Sequence, residues 1–452
     1  MTRLSAATLG DVRDATVPTY DRSVPPTIVH LGVGAFARAH LAVYADDLLA
    51  AGTPATVRGV SLRSDRAERA LAPQDGLFGV TTREPGVAPE TRVIGSLTSV
   101  ATGTGAAIDA IAAPGTRFVT LTVTEQAYAD HGPGSVAAAI AAGLDARRDA
   151  RGGPLVIASL DNLIDNGTVL ERLVGAAAHR IGGGLDRWVD DVVRFPRSVV
   201  DRMVPATTNA DLDEAARRTG IDDRAAVVAG RHRSWAIEAT DGLPPFASVG
   251  AEVVDDVGPH QRRKLWLLNA PHSALAYGGL IAGHDVIATA VADPIVAGLA
   301  RRLVTDTIEV MGAERDDTDA FAATALARFA NPALGHRCEQ VGADGSTKLP
   351  QRVLPVMARR RAAGLSSPNH ALVVAGWLAA ATSAVVAGAP LPVVADPRRD
   401  ELRAEAASGG PQAAVRAFLR AEHAEHAEHA DEIIGAFDDL SRRGLDAIVD
   451  PT

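Results

Sequence analysis

The spacing of apolar and polar positions divides the chain into two stretches of different character. Thr27–Phe36 (TIVHLGVGAF) reads as a short, wholly apolar strand running into a glycine turn. Residues 37–52 (ARAHLAVYADDLLAAG) follow with a helical period and a glycine stop at Gly52. Ala55–Leu62, Arg117–Glu125 and Pro154–Asn162 are further β-prone runs, and a helix is expected from near Gly167. Strands alternating with helices of about 10–15 residues predict βαβ units and a mostly parallel sheet. Gly250–Val257 is the last convincing strand. Beyond it the pattern is helical over 259–281, 293–313, 317–330, 350–363, 368–387 and 411–445. The expected organisation is therefore α/β over residues 1–257, opened by an irregular arm over 1–25, and a mainly α-helical domain over 258–452.

Composition narrows the partners. Hydrophobic residues make up 47% of the chain but aromatics only 4%, so the cores must be built from Ala, Val and Leu. Forty-five basic and 55 acidic residues leave a net charge of −10, which disfavours nucleic acid or an anionic membrane surface. The single cysteine, Cys338, excludes an intramolecular disulfide and any multi-thiolate metal site, and no metal is expected. There is no signal peptide and no apolar run of about 18 residues, so a cytoplasmic protein without an obligate protein partner is expected. The triplet repeat AEHAEHAEH (Ala421–His429) reads as a solvated helix of low complexity.

Two segments carry candidate chemistry. Gly32–His40 (GVGAFARAH) follows a strand and opens a helix, a context that suits the nucleotide-binding turn of a Rossmann-type N-terminal domain, the expected fold, although a plain turn fits the same pattern. Gly32 permits the tight turn, Gly34 lets the backbone approach a pyrophosphate, and Ala37 stands where a third glycine is usual. Asp65, just past the second strand, is the candidate for the adenosine ribose of NAD. Arg63 and Arg66 flank it and suit the 2′-phosphate of NADP instead. NAD is the expectation and NADP stays open. The second segment is Lys264–Tyr277 (KLWLLNAPHSALAY). At about 100° per residue, Lys264, Asn269 and His272 share a helix face backed by Leu265, Leu267 and Leu268, with Pro271 expected to kink the helix between Asn269 and His272. A desolvated lysine there can act as a base near neutral pH, and the amide can hold a negatively charged oxygen.

These segments, with Leu71–Glu84, Thr120–Tyr128, Ser159–Gly167 (SLDNLIDNG) and Phe195–Thr207 (FPRSVVDRMVPAT), resemble in order the motifs of the polyol-specific long-chain dehydrogenases, the mannitol dehydrogenase family, over residues 27–450. The resemblance implies metal-independent hydride transfer with Lys264 as general base. It implies that Asn162 and Asn269 hold the alkoxide-like oxygen and that Asp201 and His272 contact substrate hydroxyls. Arg202 would line the same region. Phe36, Arg38, Thr124 and Glu125 would join Gly32, Gly34 and Asp65 on the cofactor side. Gln261 stands where the family has a glutamate, so it can hydrogen-bond but not carry charge.

Asn331–Arg352 (NPALGHRCEQVGADGSTKLPQR) is similar to the fructuronate reductase (mannonate oxidoreductase) branch, with Arg337 as the candidate for a substrate carboxylate. D-mannonate/D-fructuronate is thus the expected substrate pair. D-mannitol/D-fructose or a related polyol is the alternative. Two other classes compete: an NAD-binding regulator that has lost turnover, and a transferase using the glycine turn for another nucleotide. The latter leaves Lys264 and both asparagines without a task.

Overall fold

The computed structural model describes residues 1–84, 86–123, 126–129, 132, 134–312, 318–332 and 335–449. Two compact units are present, Met1–Gly258 and Pro259–Thr452.

In the first unit, six described strands form one wholly parallel sheet: β1 (Ile28–Leu31), β2 (Val57–Ser61), β3 (Leu97–Thr102), β4 (Phe118–Leu121), β5 (Leu155–Ser159) and β6 (Val193–Arg194). Their order across the sheet is β3-β2-β1-β4-β5-β6. The connection reverses direction between β1 and β4, and in open parallel sheets ligands bind at such a switch point. Both faces are covered, which is why the strands read as continuous apolar runs. Ile28 belongs to the core on one face, with helix Leu41–Ala50 and Trp235. Val29 and Leu31 belong to the other core, with helices Thr104–Ala112, Val136–Asp149 and Asn166–Ile181.

Two smaller sheets depart from the expected run of βαβ units. The arm over residues 1–25 is not irregular throughout. It contains a 3-10 helix (Ala6–Asp11), and Ala15–Thr16 pair in parallel with Thr91–Arg92. Phe78–Glu84 and Val87–Ile94 form an antiparallel hairpin, completed by Val227–Gly230. A third sheet joins Ser198–Arg202, Arg233–Glu238 and Glu252–Val254.

Among the described residues the second unit is helical apart from a two-residue strand pair, Val385–Val386 with Ala389–Pro390. That pair falls where the pattern predicted a helix to 387; the helix ends at Thr382, with Ser383 left-handed at φ 58°. The His-rich repeat is a 3-10 helix rather than an α-helix. Residues three apart eclipse in that geometry, so His426 and His429 stack with ring centroids 6.0 Å apart. His429 is buried, so the repeat is not wholly solvated. Among the described residues no three side chains form a metal-binding group, and no helix is long and apolar enough to cross a membrane.

Candidate active site

The glycine turn lies at the switch point. Gly32 N donates to Val60 O at 2.8 Å, and Thr122 N donates to Leu31 O at 2.9 Å, so the turn is clamped between the ends of β2 and β4. Gly32 has φ +97°, and a Cβ there would lie 2.0 Å from the carbonyl oxygen of Thr122. Only glycine fits. Beneath the turn sits His30, with Nδ1 2.8 Å from Thr120 Oγ1 and Nε2 3.1 Å from Gly32 O and 2.9 Å from Thr122 Oγ1. Burial pushes its pKa down to about 4, so the ring is neutral.

Gly34 is different. Its backbone is extended (φ −82°, ψ −179°), which any residue adopts. It is exposed, and a Cβ would meet nothing within 4 Å. The chain itself gives no reason for glycine here. The position is open, which leaves room for a pyrophosphate at the start of the following helix, Ala35–Ala39.

The other expected cofactor residues divide. Phe36 stacks on His40, centroids 5.0 Å apart. Asp65 is exposed four residues past β2 and holds Arg69 at 2.5 Å, a surface pair of small energetic weight. Arg38 donates to Gly34 O, at 3.3 Å, and to Ala225 O. Burial lowers its pKa to about 10, which leaves it cationic, and its bonds hold the turn in place. Thr124 and Glu125 lie outside the described residues.

At the end of β5 the SLDNLIDNG segment contains two asparagines with separate fates. Asn162 is exposed. Asn166 is buried and staples β5 to the next sheet: Nδ2 donates to Ser159 O, Asp161 O and Ser198 O, at 3.1, 3.2 and 2.9 Å, and Oδ1 accepts from Ser198 N at 3.0 Å. Gly167 permits this contact, because a Cβ would lie 2.5 Å from Phe195 O. Asp161 accepts from Val123 N (3.1 Å) and Tyr128 Oη (2.7 Å), linking the ends of β4 and β5. Asn166 and Asp161 are positioning residues absent from the sequence reading. The only signal for them was an amide and a carboxylate within eight residues of a buried strand.

Asp201 and Arg202 are neighbours on one strand, so their side chains leave opposite faces. Asp201 lies 3.7 Å from His232 Nε2. Arg202 bonds the carbonyls of Gly230, at 3.1 Å, and Ala39. The expectation that Arg202 lines the same region as Asp201 is therefore corrected by strand alternation.

In the second unit, Lys264 ends helix Gly258–Lys264 and is only 9% exposed; Gln261 lies one turn earlier on that helix. Leu265–Asn269 is a π-helical turn, with Ala270 N bonded to Leu265 O. Bonds between residues five apart bring such residues onto one face, and Lys264 and Asn269 are five apart. The helix then continues over Ala270–Ala282 with Pro271 in its first turn. The helical backbone runs unbroken through Asn269 and Ala270, so Pro271 is interior to it and supplies no N–H. The expected opening is present as the π-helical turn, but it falls at Leu265–Asn269, just before the proline, and not between Asn269 and His272.

His272 stacks on Phe329, centroids 4.4 Å apart, with His336 at 5.9 Å. Its Nε2 is sealed and has no partner among the described residues. Burial first, then the charges of His336, Arg352, Lys348 and Arg328, hold its pKa well below the ordinary imidazole value. The ring is a neutral donor and acceptor in a basic neighbourhood. Arg352 Nη1 donates to Ser273 Oγ at 3.0 Å, and Lys348 Nζ to Ala343 O at 2.6 Å. Arg337 is not part of this cluster. It caps helix Cys338–Gly342, is 57% exposed and lies 3.7 Å from Glu339. Its side chain is exposed at the start of that helix, apart from the cations around His272.

The sheet order, the glycine cradle at its switch point and the helical second unit define a two-unit oxidoreductase class of Rossmann type. Residues 26–244 match the mannitol dehydrogenase Rossmann domain, and residues 256–439 match the mannitol dehydrogenase C-terminal domain. The chain belongs to the mannitol dehydrogenase family. It is 34% identical to D-mannonate oxidoreductase of Escherichia coli K12, over 80% of this chain and 81% of that protein. It is 34% identical to mannitol 2-dehydrogenase of Pyrenophora tritici-repentis, over 90% and 78%. The structure superposes on Pseudomonas fluorescens mannitol 2-dehydrogenase, solved as a ternary complex with NAD and D-mannitol, with a TM-score of 0.88, 28% identity and 99% of each chain covered.

Proposed function

We propose that the protein is an NAD-dependent dehydrogenase that interconverts a secondary alcohol and a ketone on a linear sugar acid, D-mannonate/D-fructuronate. The observation that carries the reading is that Lys264 and Asn269, both buried, flank one π-helical turn whose Leu265, Leu267 and Leu268 are buried as well. A lysine held in that apolar setting loses its proton more readily than one in water. In the oxidative direction the neutral amine takes the hydroxyl proton of the substrate. The amides of Asn162 and Asn269 donate to the oxygen as it becomes alkoxide-like, and the neutral ring of His272 and the carboxylate of Asp201 orient neighbouring hydroxyls. Bound NAD supplies the hydride acceptor, and the Gly34 cradle accommodates its pyrophosphate. Gln261 relays the proton by hydrogen bonding alone, because it cannot carry the charge.

A sugar acid is favoured over a polyol by the cations near His272. Arg352, Lys348 and Arg328 suit a carboxylate, and guanidinium–carboxylate pairs are geometrically specific. The D-mannonate oxidoreductase relative supports the same choice. The superposition on a mannitol complex favours D-mannitol/D-fructose as the second reading.

The test is a panel of mannonate, altronate, mannitol, arabinitol and sorbitol against NAD and NADP, followed by nicotinamide absorbance. Turnover highest with mannonate and NAD is expected; turnover on mannitol alone overturns the sugar-acid choice. Lys264→Ala is expected to lower turnover by about 10³-fold while NADH still binds. Near-normal turnover in that variant removes lysine as the base.

A further inference from the structure

Within the first unit, an open cavity of about 740 Å³ lies between the hairpin Phe78–Glu84/Val87–Ile94 and helix Leu41–Ala50. None of the residues assigned above to the reaction lines it. Its apolar surface comes from Val43, Val80 and Ile94, and Thr16, Thr82 and Thr91 add hydroxyls. Five arginines also line it: Arg92, Arg202, Arg218, Arg231 and Arg233.

Their partners separate neutralised cations from the rest. Arg92 and Arg233 both bind Asp47, and Arg92 also binds Asp46. Arg231 holds Glu84 at 2.8 Å and Glu90 at 3.3 Å. Arg202 and Arg218 differ: their hydrogen bonds go to backbone carbonyls, of Ala39 and Gly230 for the first and Pro89 for the second. Carbonyls solvate a guanidinium but do not cancel its charge. The Nε of Arg218 is buried with no acceptor among the described residues, a costly state for a donor on a cation. Of the lining carboxylates only Asp14, at the exposed rim, has no arginine among these pairs.

We propose that this cavity is a second ligand site, taking a small hydroxylated metabolite with a phosphate or carboxylate head. A guanidinium fork fits either head group bidentately, and a volume of this order suits a small-molecule site. The guanidinium groups of Arg202 and Arg218, whose bonds go to carbonyls and not to carboxylates, meet the anionic head, the threonines meet hydroxyls, and the aliphatic surface takes the carbon chain. The site stands independently of whether Lys264 is the base.

The test is calorimetric titration of the full chain with fructose 6-phosphate, gluconate, inorganic phosphate and neutral sorbitol, each with and without NADH plus saturating D-mannonate to occupy the substrate site. Binding of an anion that NADH plus D-mannonate leaves unchanged is expected, with sorbitol silent. Fructose 6-phosphate and gluconate separate the two head groups. Arg218→Ala is expected to weaken that binding about tenfold or more, the loss of one charge-assisted contact. Unchanged melting and kcat show the variant intact, and Arg218→Lys, which keeps charge but loses the fork, is expected to recover only part of the affinity. Silence from every anion, equal binding by Arg218→Ala, or displacement by NADH plus D-mannonate overturns the proposal.

Discussion

The two glycines of the turn make opposite predictions, and their contrast tests whether the cradle is built for a ligand. In Gly32→Ala the new methyl lies 2.0 Å from Thr122 O, a backbone atom that cannot rotate away. Alanine at φ +97° costs about 1–3 kcal/mol. Moving Thr122 endangers two hydrogen bonds, Thr122 N to Leu31 O and Thr122 Oγ1 to Gly32 O, worth about 1 kcal/mol each. The sum is about 4 kcal/mol. For a unit of this size, that lowers the melting temperature by about 8–16 °C. In Gly34→Ala nothing in the chain is touched and the backbone is already extended, so the cost is only about 0.5 kcal/mol, from the poorer helix cap. The same methyl occupies the approach of a pyrophosphate, and NADH binding is expected to weaken about tenfold or more, one charge-assisted hydrogen bond. Thermal unfolding followed by circular dichroism, with NADH fluorescence titration, measures both. Wild-type NADH affinity in a well-folded Gly34→Ala refutes the cradle. A wild-type melting temperature in Gly32→Ala refutes the steric argument.

Other outcomes follow from the buried charges. Arg352→Gln is expected to raise the KM for mannonate about 10–100-fold with little change for mannitol, whereas Arg337→Ala leaves both near wild type. Equal effects of Arg352→Gln on the two substrates would remove the carboxylate reading. Acidification is expected to destabilise the fold. Burial depresses the pKa of His30 to about 4 and of His40 and His370 to about 3, so between about pH 6.5 and 4 the unfolded chain binds protons that the native one does not. Stability therefore falls as pH falls, by about 1.4 kcal/mol per unit for each histidine. Asp223, whose carboxyl burial raises, works in the opposite sense but is one group against three. Melting curves at pH 7, 6 and 5 check the sign, and a melting temperature that does not fall would show these rings to be solvated. In the first unit, Asn166→Ala is expected to cost about 2–4 kcal/mol, because it leaves Ser198 N and three carbonyls without their amide.

Much of the fold was legible from local pattern. The parallel sheet follows from apolar runs separated by helical periods, and Gly32 follows from a turn that only glycine can make. The antiparallel hairpin and the arm strand were not legible, because a strand's partner is set by tertiary pairing and not by its own period. The site divides the same way. The stretch from Lys264 to His272 shows its residue types plainly, and its leucine backing predicts burial of the lysine.

The chain by itself determined which residue types sit at which turn of helix or end of strand, since backbone geometry and apolar periodicity act over a few residues. Only the tertiary structure decided where long cationic side chains go. Arg38 and Arg202 turn inward to carbonyls supplied by distant segments, and Arg337 turns out to solvent. A flexible side chain takes the direction in which its charge is best solvated, and that depends on groups brought close by folding.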